Sequence, residues 1–174
     1  LHLVSSQDAF NRLVKMEEDS ARIHITGCPS IDLADEVFKN PALDFNPNQR
    51  YGGVGPEIDA TQPYIVVMQH PVTTEFEAAF HQANETMDAI ISSGIPAFWF
   101  WPNVDAGSDG TSRALRNYRE KLKDLKVRFF KNMEGRDFLK LLANSKCLIG
   151  NSSVGIRECN YLGVPVVNIG SRQH

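Results

Sequence analysis

The chain has 174 residues, 42% of them apolar and 22% charged, and a formal net charge of −3. That length holds one domain with a real core, or one domain and a piece of another, and the composition is that of an ordinary globular protein. The slightly acidic balance offers no basic footprint for nucleic acid or an anionic membrane surface, and the longest apolar run, Ile95 to Trp101, falls far short of the roughly 20 residues a membrane span needs.

Leu1 to Val4 predicts a short strand, Gln7 to Met16 a helix, Arg22 to Thr26 a strand and Ile31 to Phe38 a helix. Lys39 to Gln62 reads KNPALDFNPNQRYGGVGPEIDATQ, rich in proline, glycine and asparagine, and is expected to be a loop or linker that marks a boundary or a mobile element. A regular series follows. Apolar runs at Tyr64 to Met68, Ala97 to Trp101, Val127 to Phe130, Cys147 to Gly150 and Val164 to Ile169 predict strands. Between them, helical patterns cover Thr74 to Ser92, Ser112 to Lys123, Gly135 to Asn144 and Val154 to Leu162.

Continuous apolar strands are what a sheet buried on both faces requires. Strand–helix repetition with short connections means an α/β fold, a doubly wound, Rossmann-like parallel sheet with right-handed crossovers. The chain opens on Leu1 and stops at His174, so a fragment of something longer is expected. In that division residues 1–38 would end a preceding domain and cross over, 39–62 would link, and 63–174 would form the sheet domain.

In open parallel sheets ligands bind beyond the carboxyl ends of the strands, where the strand order reverses. For the common order 3-2-1-4-5 that crevice lies between the first and fourth strands of the series. Their ends read Met68-Gln69-His70-Pro71 and Gly150-Asn151-Ser152-Ser153. Ser152 and Ser153 would sit at a helix N-terminus, where free N–H groups and the helix dipole attract anions, and Gly155 would let a phosphate or sugar approach the first turn. Capping alone accounts for one serine. His70 would point its ring into the crevice, to neutralise a phosphate or move a proton near neutral pH. His24 and His81 are expected to be structural. The loop Trp101 to Ser108 follows the second strand and reaches the same mouth, with Asn103 as ligand candidate and Asp105 or Ser108 as turn former and cap. Phe98 to Trp101 is expected in the core.

Several chemistries fail on residues. There is no GxGxxG after the first strand of the series, no P-loop, no GxSxG elbow, and no acidic cluster of the receiver kind. The three cysteines, Cys28, Cys147 and Cys159, are odd in number and lack CxxC spacing, which argues against a disulfide framework and a zinc site and for buried, inert thiols in a reducing cytoplasm. Nothing requires a metal or other cofactor.

The segments Gln69 to Thr74, Pro102 to Ser108, Gly150 to Glu158 and Gly170 to Gln173 together resemble the hydrolysing UDP-N-acetylglucosamine 2-epimerases, most of all the sialic-acid and capsule branch. Gly27-Cys28-Pro29-Ser30 is similar to that family's domain crossing. The resemblance spans nearly the whole chain. It implies the carboxyl-terminal, UDP-binding half of a two-domain fold of the glycosyltransferase-B type, with the amino-terminal domain missing and a homo-oligomer left open. It further implies that His70 is the active-site histidine beside the phosphates, that Ser152 and Ser153 hold the diphosphate, and that Glu158 takes both ribose hydroxyls. Asn103 and Arg172 match other nucleotide-site positions, and Met133 matches a place where uracil is met through the backbone. At Asp109 the chain departs from the animal enzymes, whose basic residue there serves feedback inhibition, so that regulation does not carry over.

The implied reaction converts UDP-N-acetylglucosamine to N-acetylmannosamine and UDP through a glycal, with the acid and base carboxylates in the preceding domain. A related implied substrate is a UDP-linked 2,4-diacetamido-trideoxy sugar. The residues alone leave three other readings open: a glycosyltransferase of the same architecture, a nucleotide-binding module without chemistry, and a structural domain in which Ser152 and Glu158 are a cap and a solvated face.

Overall fold

Successive side chains of a strand point to opposite faces, and here both sets are apolar, so helices must cover both sides of the sheet. The computed structural model describes residues 1–121 and 126–173. Its first part is a parallel pair, β1 (His2–Val4) and β2 (Ile23–Ile25), joined through α1 (Gln7–Lys15). Ser6 caps α1 by accepting from the Ala9 N–H. No residue of α1 is buried, and Leu1, Leu3, Met16 and Ile25 are exposed. Next come α2 (Pro29–Lys39), with proline in its first turn, and α3 (Pro47–Tyr51).

The main sheet consists of β3 (Ile65–Met68), β4 (Ala97–Phe100), β5 (Val127–Phe130), β6 (Leu148–Gly150) and β7 (Val166–Asn168). They pair in parallel in the order β5-β4-β3-β6-β7, the doubly wound order expected. On one face α4 (Ala79–Ser93) and α5 (Ser108–Lys121) cover Ile65, Val67, Trp99 and Phe129 with Met87, Ile90 and Leu115. On the other, α2, α6 (Gly135–Ala143) and α7 (Glu158–Leu162) cover Val66, Phe98, Phe100 and Phe130 with Ala34, Val37, Leu141, Leu142 and Cys159. Burying each such side chain contributes roughly 1.5–3 kcal/mol, which is why Phe98, Trp99 and Phe100 sit in the core as their sequence suggests.

The segment 39–62, expected as a loop or linker, carries a short helix of its own. Asn46 accepts from the N–H groups of Asn48 and Gln49, and Pro47 opens the helix behind it, so α3 forms. Val54 then makes an antiparallel bridge to Phe129 and shields the free edge of β5. Arg128, 7% exposed, secures this cover by donating to the carbonyls of Gly52 and Gly55. Glycine is required there, because a Cβ at Gly55 would lie 2.5 Å from the Val127 oxygen. Buried Ile58 joins the core beside α2.

Helix boundaries also depart from expectation. The helix expected from Thr74 opens as a 3-10 turn, Thr73–Ala78, with Glu75 outside helical geometry, before α4 begins. α5 starts at Ser108, four residues earlier than periodicity indicated, because Gly107 takes a φ of 91° and turns the chain directly into it. Leu122 and Lys123, the expected end of that helix, lie outside the described residues, as does His174. The helix expected over Val154 to Leu162 is broken into a 3-10 turn, Ser153–Gly155, and the short α7. β-Branched Val154 and Ile156 flanking Gly155 are weak helix formers, and the turn packs on β7 instead.

Replacing Arg128 with Met is expected to leave the sheet intact but lower stability by about 1–3 kcal/mol, because the charge-assisted bonds from Arg128 to the Gly52 and Gly55 carbonyls are lost. Urea unfolding should register the loss, and amide exchange at Gly53 to Gly55 should accelerate; unchanged exchange there would contradict the role assigned to Arg128.

Candidate functional site

The chain reverses its winding between β3 and β6: after β3 it runs to α4 on one face, and after β6 to α7 on the other. In sheets of this kind the crevice at the carboxyl ends of two such strands is where ligands bind. Their last registered pair is Met68 with Gly150. A side chain at Gly150 would collide with the Met68 carbonyl at 2.0 Å, so glycine is the residue that fits. Immediately beyond, the buried carboxamide of Asn151 bonds the main chain of His70 twice, accepting from its N–H at 2.7 Å and donating to its carbonyl at 2.8 Å.

This contact fixes the His70 main chain just beyond β3, at the carboxyl end of the sheet. His70 is 6% exposed, and its Nδ1 accepts from the Asn103 N–H at 3.1 Å. The ring proton therefore resides on Nε2, which has no hydrogen-bond partner among the described residues. Burial, reinforced by the nearby positive charge of Arg172 and opposed by Asp105, lowers the His70 pKa to about 4. The ring is thus neutral at physiological pH in the unliganded chain. It offers a hydrogen bond, where the sequence suggested a charge-neutralising imidazolium.

Asn103 acts through its backbone; its exposed side chain has no partner among the described residues. Ser152 caps the 3-10 turn, its Oγ accepting from the Val154 N–H at 3.4 Å, and the Ser153 Oγ accepts from Arg157 at 3.0 Å. Because the helix is broken, the dipole argument for an anion site loses its length, and what remains is hydroxyls and local N–H groups. Gly155 has a packing role: the space its Cβ would need is occupied by Val166 and Leu148, at 3.0 and 3.4 Å.

Glu158, the first residue of α7, is no solvated face. It is 5% exposed, its Oε1 lies 3.6 Å from the Arg157 guanidinium, and its buried Oε2 has no partner among the described residues. A buried carboxylate oxygen left unsatisfied carries a desolvation cost that a donor from outside would relieve. Arg172 reaches the crevice from beyond β7, donating to the Asn151 carbonyl at 3.2 Å and lying 3.8 Å from Asp105. Met133 stands beyond β5 at the same edge, its side chain buried and its N–H donating to the Asn132 side chain. Hydrogen bonds and charge thus link His70, Asn103, Asn151 and Arg172, while Met133 stands apart. Asn151 and Gln69, whose buried Oε1 also lacks a partner, were not singled out as site residues from sequence. The signal for Asn151 was its place directly after the glycine that ends β6.

The other titratable groups lie elsewhere. Cys159 is buried, with its pKa pushed up to about 12 by desolvation and by Glu158, and burial also raises Cys147. Cys28 and Cys147 differ from the expected buried thiols, both being only part-buried; at Cys28, at the start of α2, the Ile31 N–H lowers the pKa. His24 and His81 are exposed and fill no core position. No group of three or more His, Cys, Asp or Glu among the described residues could hold a metal, and no described helix is long and apolar enough to cross a membrane.

The model of the UDP-N-acetylglucosamine 2-epimerase family matches residues 1–174. The chain belongs to this family. It is 34% identical over 174 residues to the UDP-N-acetylglucosamine 2-epimerase of Neisseria meningitidis, and 30% identical to the hydrolysing UDP-N,N'-diacetylbacillosamine 2-epimerase of Legionella pneumophila. Each match covers 99% of this chain and 43% of the relative, so the chain spans less than half the length of these family members. Its fold is shared by the Rickettsia bellii UDP-N-acetylglucosamine 2-epimerase, with a TM-score of 0.66 at 14% identity over 98% of this chain and 42% of that one. The Neisseria meningitidis enzyme, solved bound to UDP-GlcNAc, gives 0.65 at 18% identity over 96% of this chain and 43% of that one.

The buried, neutral state of His70 has a consequence for stability. Its folded pKa lies below the unfolded value, so the folded state binds fewer protons between the two. Its contribution is complete above about pH 6.5 and lost as pH falls toward 4, on the order of 2 kcal/mol. Denaturant unfolding of the parent and of His70→Gln at pH 7.5 and pH 4.5 should show the larger acid loss in the parent. Equal losses would mean that His70 is not held neutral by the fold.

Proposed function

We propose that this chain is the UDP-binding part of a hydrolysing UDP-N-acetylglucosamine 2-epimerase, which converts UDP-N-acetylglucosamine to N-acetylmannosamine and UDP. The observation that carries this reading is the Glu158 carboxylate, buried at the carboxyl edge of the sheet with Oε2 unpaired. An acceptor-only group with two oxygens suits a ribose, whose two hydroxyls both donate. The diphosphate would then meet the hydroxyls of Ser152 and Ser153, the Arg172 guanidinium and the His70 Nε2–H, and the uracil would lie toward the Met133 backbone. Asn103 would serve through its N–H, by fixing the His70 tautomer.

The chemistry explains why such a half-site is useful. In the reaction a base removes the proton on C2 while the bond from C1 to the diphosphate breaks, its electron pair leaving with UDP. Water then adds across the resulting glycal. The C2 proton has no adjacent carbonyl to acidify it, so elimination depends on stabilising charge that develops on the departing phosphate. Arg172 supplies a permanent charge. His70, neutral before binding, supplies a hydrogen bond and acquires basicity once an anion lies beside it, since a phosphate's charge raises an imidazole pKa. It is the catalytic residue of this chain; the acid and base carboxylates would come from the amino-terminal domain.

The apolar residues of β1, β2 and α1 that no packing covers support such a domain, which α1 and its strands would complete, with α2 as the crossover. The free thiols of Cys28, Cys147 and Cys159 suit a cytoplasmic setting, where nucleotide sugars are used. A second substrate, a UDP-linked 2,4-diacetamido-trideoxy sugar, is favoured by the 30% identity to the diacetylbacillosamine enzyme. The residues that choose between the two sugars would lie on the missing domain.

Calorimetric titration with UDP, UMP and uridine should show UDP bound best and weakly, with affinity reduced at least tenfold in Glu158→Ala. The chain alone should release no N-acetylmannosamine from UDP-N-acetylglucosamine. UDP affinity indifferent to Glu158, or turnover by the chain alone, would overturn this reading.

A further inference from the structure

Beyond the pair Met68 and Gly150 the β3–β6 ladder ends, and the two chains must separate to open the crevice. Backbone groups just past the end of a ladder ordinarily turn to water. At His70 they do not: its N–H and carbonyl both meet the Asn151 carboxamide, at 2.7 and 2.8 Å, in a contact 3% exposed on the asparagine side. The carboxamide stands where the next peptide of a paired strand would stand, offering one acceptor and one donor to the two main-chain groups of a single residue. No other short side chain does both. An ionised aspartate would set an oxygen against the His70 carbonyl, and a serine can serve only one of the two groups at full strength. Asn151 also holds Arg172, through its own carbonyl at 3.2 Å.

We propose that Asn151 is a positioning residue that extends the β3–β6 pairing by one side-chain rung, so that His70 and Arg172 are held together as a preset pair of donors for one diphosphate. The ligand in this statement rests on the nucleotide reading above, whereas the rung itself does not. A diphosphate site assembled only on binding would have to order the two side chains at that moment, and a site already fixed avoids that cost. The charged groups that face the His70 ring are Arg172, from beyond β7, and Asp105, from the loop after β4. Arg172 is bonded to the Asn151 main-chain carbonyl, and Asp105 lies 3.8 Å from Arg172.

The test reads the ring and not the activity. Imidazole nitrogen NMR of this chain across pH 3.5 to 8 should show the Nε2–H tautomer in the parent. In Asn151→Ala, with the fold confirmed by its melting transition and by retained exchange protection in β4, the tautomers should mix and the ring should titrate near the free value of about 6.5. Asn151→Ser, which keeps one bond at a time, should fall between. A folded variant whose His70 keeps the parent tautomer and titration would overturn the proposal, because loss of mere packing would leave the ring as it was. Should neither variant fold, the parent decides: slow exchange of the Asn151 carboxamide protons, far below that of exposed asparagines, supports the rung, and exchange at the exposed rate refutes it. UDP titration of the same samples, with Glu158→Ala alongside, reports separately on the nucleotide reading: weaker UDP binding in the Asn151 variants supports the preset pair, and unchanged UDP binding in folded variants with altered rings refutes it.

Discussion

Everything at the candidate site depends on the reversal of winding between β3 and β6. In a parallel sheet each strand must be followed by a crossover, and two adjacent strands whose crossovers leave toward opposite faces leave an uncovered mouth between them. Here α4 departs to one side and α7 to the other. The mouth is held open yet stays ordered because Gly150 allows β6 to press against Met68 while Asn151 takes up the first unpaired residue of β3. His70, Asn103 and Arg172 inherit their positions from that arrangement, and Ser152 and Ser153 follow it directly in the chain.

The electrostatics of the site are economical. A buried imidazolium beside a guanidinium would be doubly unfavourable, by desolvation and by like charge, and the fold avoids it by keeping His70 neutral. Arg172 supplies the fixed positive charge beside a neutral ring. Glu158 is the complement of this pattern. Its buried Oε2 lacks a donor among the described residues, a desolvation cost that an incoming donor would relieve.

The chain is shorter than its relatives. It spans 43% of relatives such as the Neisseria enzyme, and its first strands and α1 present apolar residues that nothing covers. Its sheet, by contrast, is packed on both faces and has its β5 edge shielded by the segment around Val54. The glycine-rich stretch that looked like a linker in the sequence is an element of the core, because Arg128 gives its carbonyls a buried donor.

Strand positions and strand order were legible in the sequence, because apolar runs of this length and spacing have few ways to bury both faces. The family was legible too, from four short motifs in order. What the sequence left undetermined were features set by contacts between distant segments. The break between Ser153 and α7 arises because Gly155 packs against β6 and β7, which local periodicity does not record. The early start of α5 arises at one positive φ. The use of Asn103 through its backbone, the neutrality of His70 and the double bond from Asn151 all join residues on different strands. Local sequence determines which face a residue occupies through the periodicity of its own element. Protonation state, tautomer and hydrogen-bond partner depend on burial and on groups remote in the chain, and only the tertiary structure could decide them.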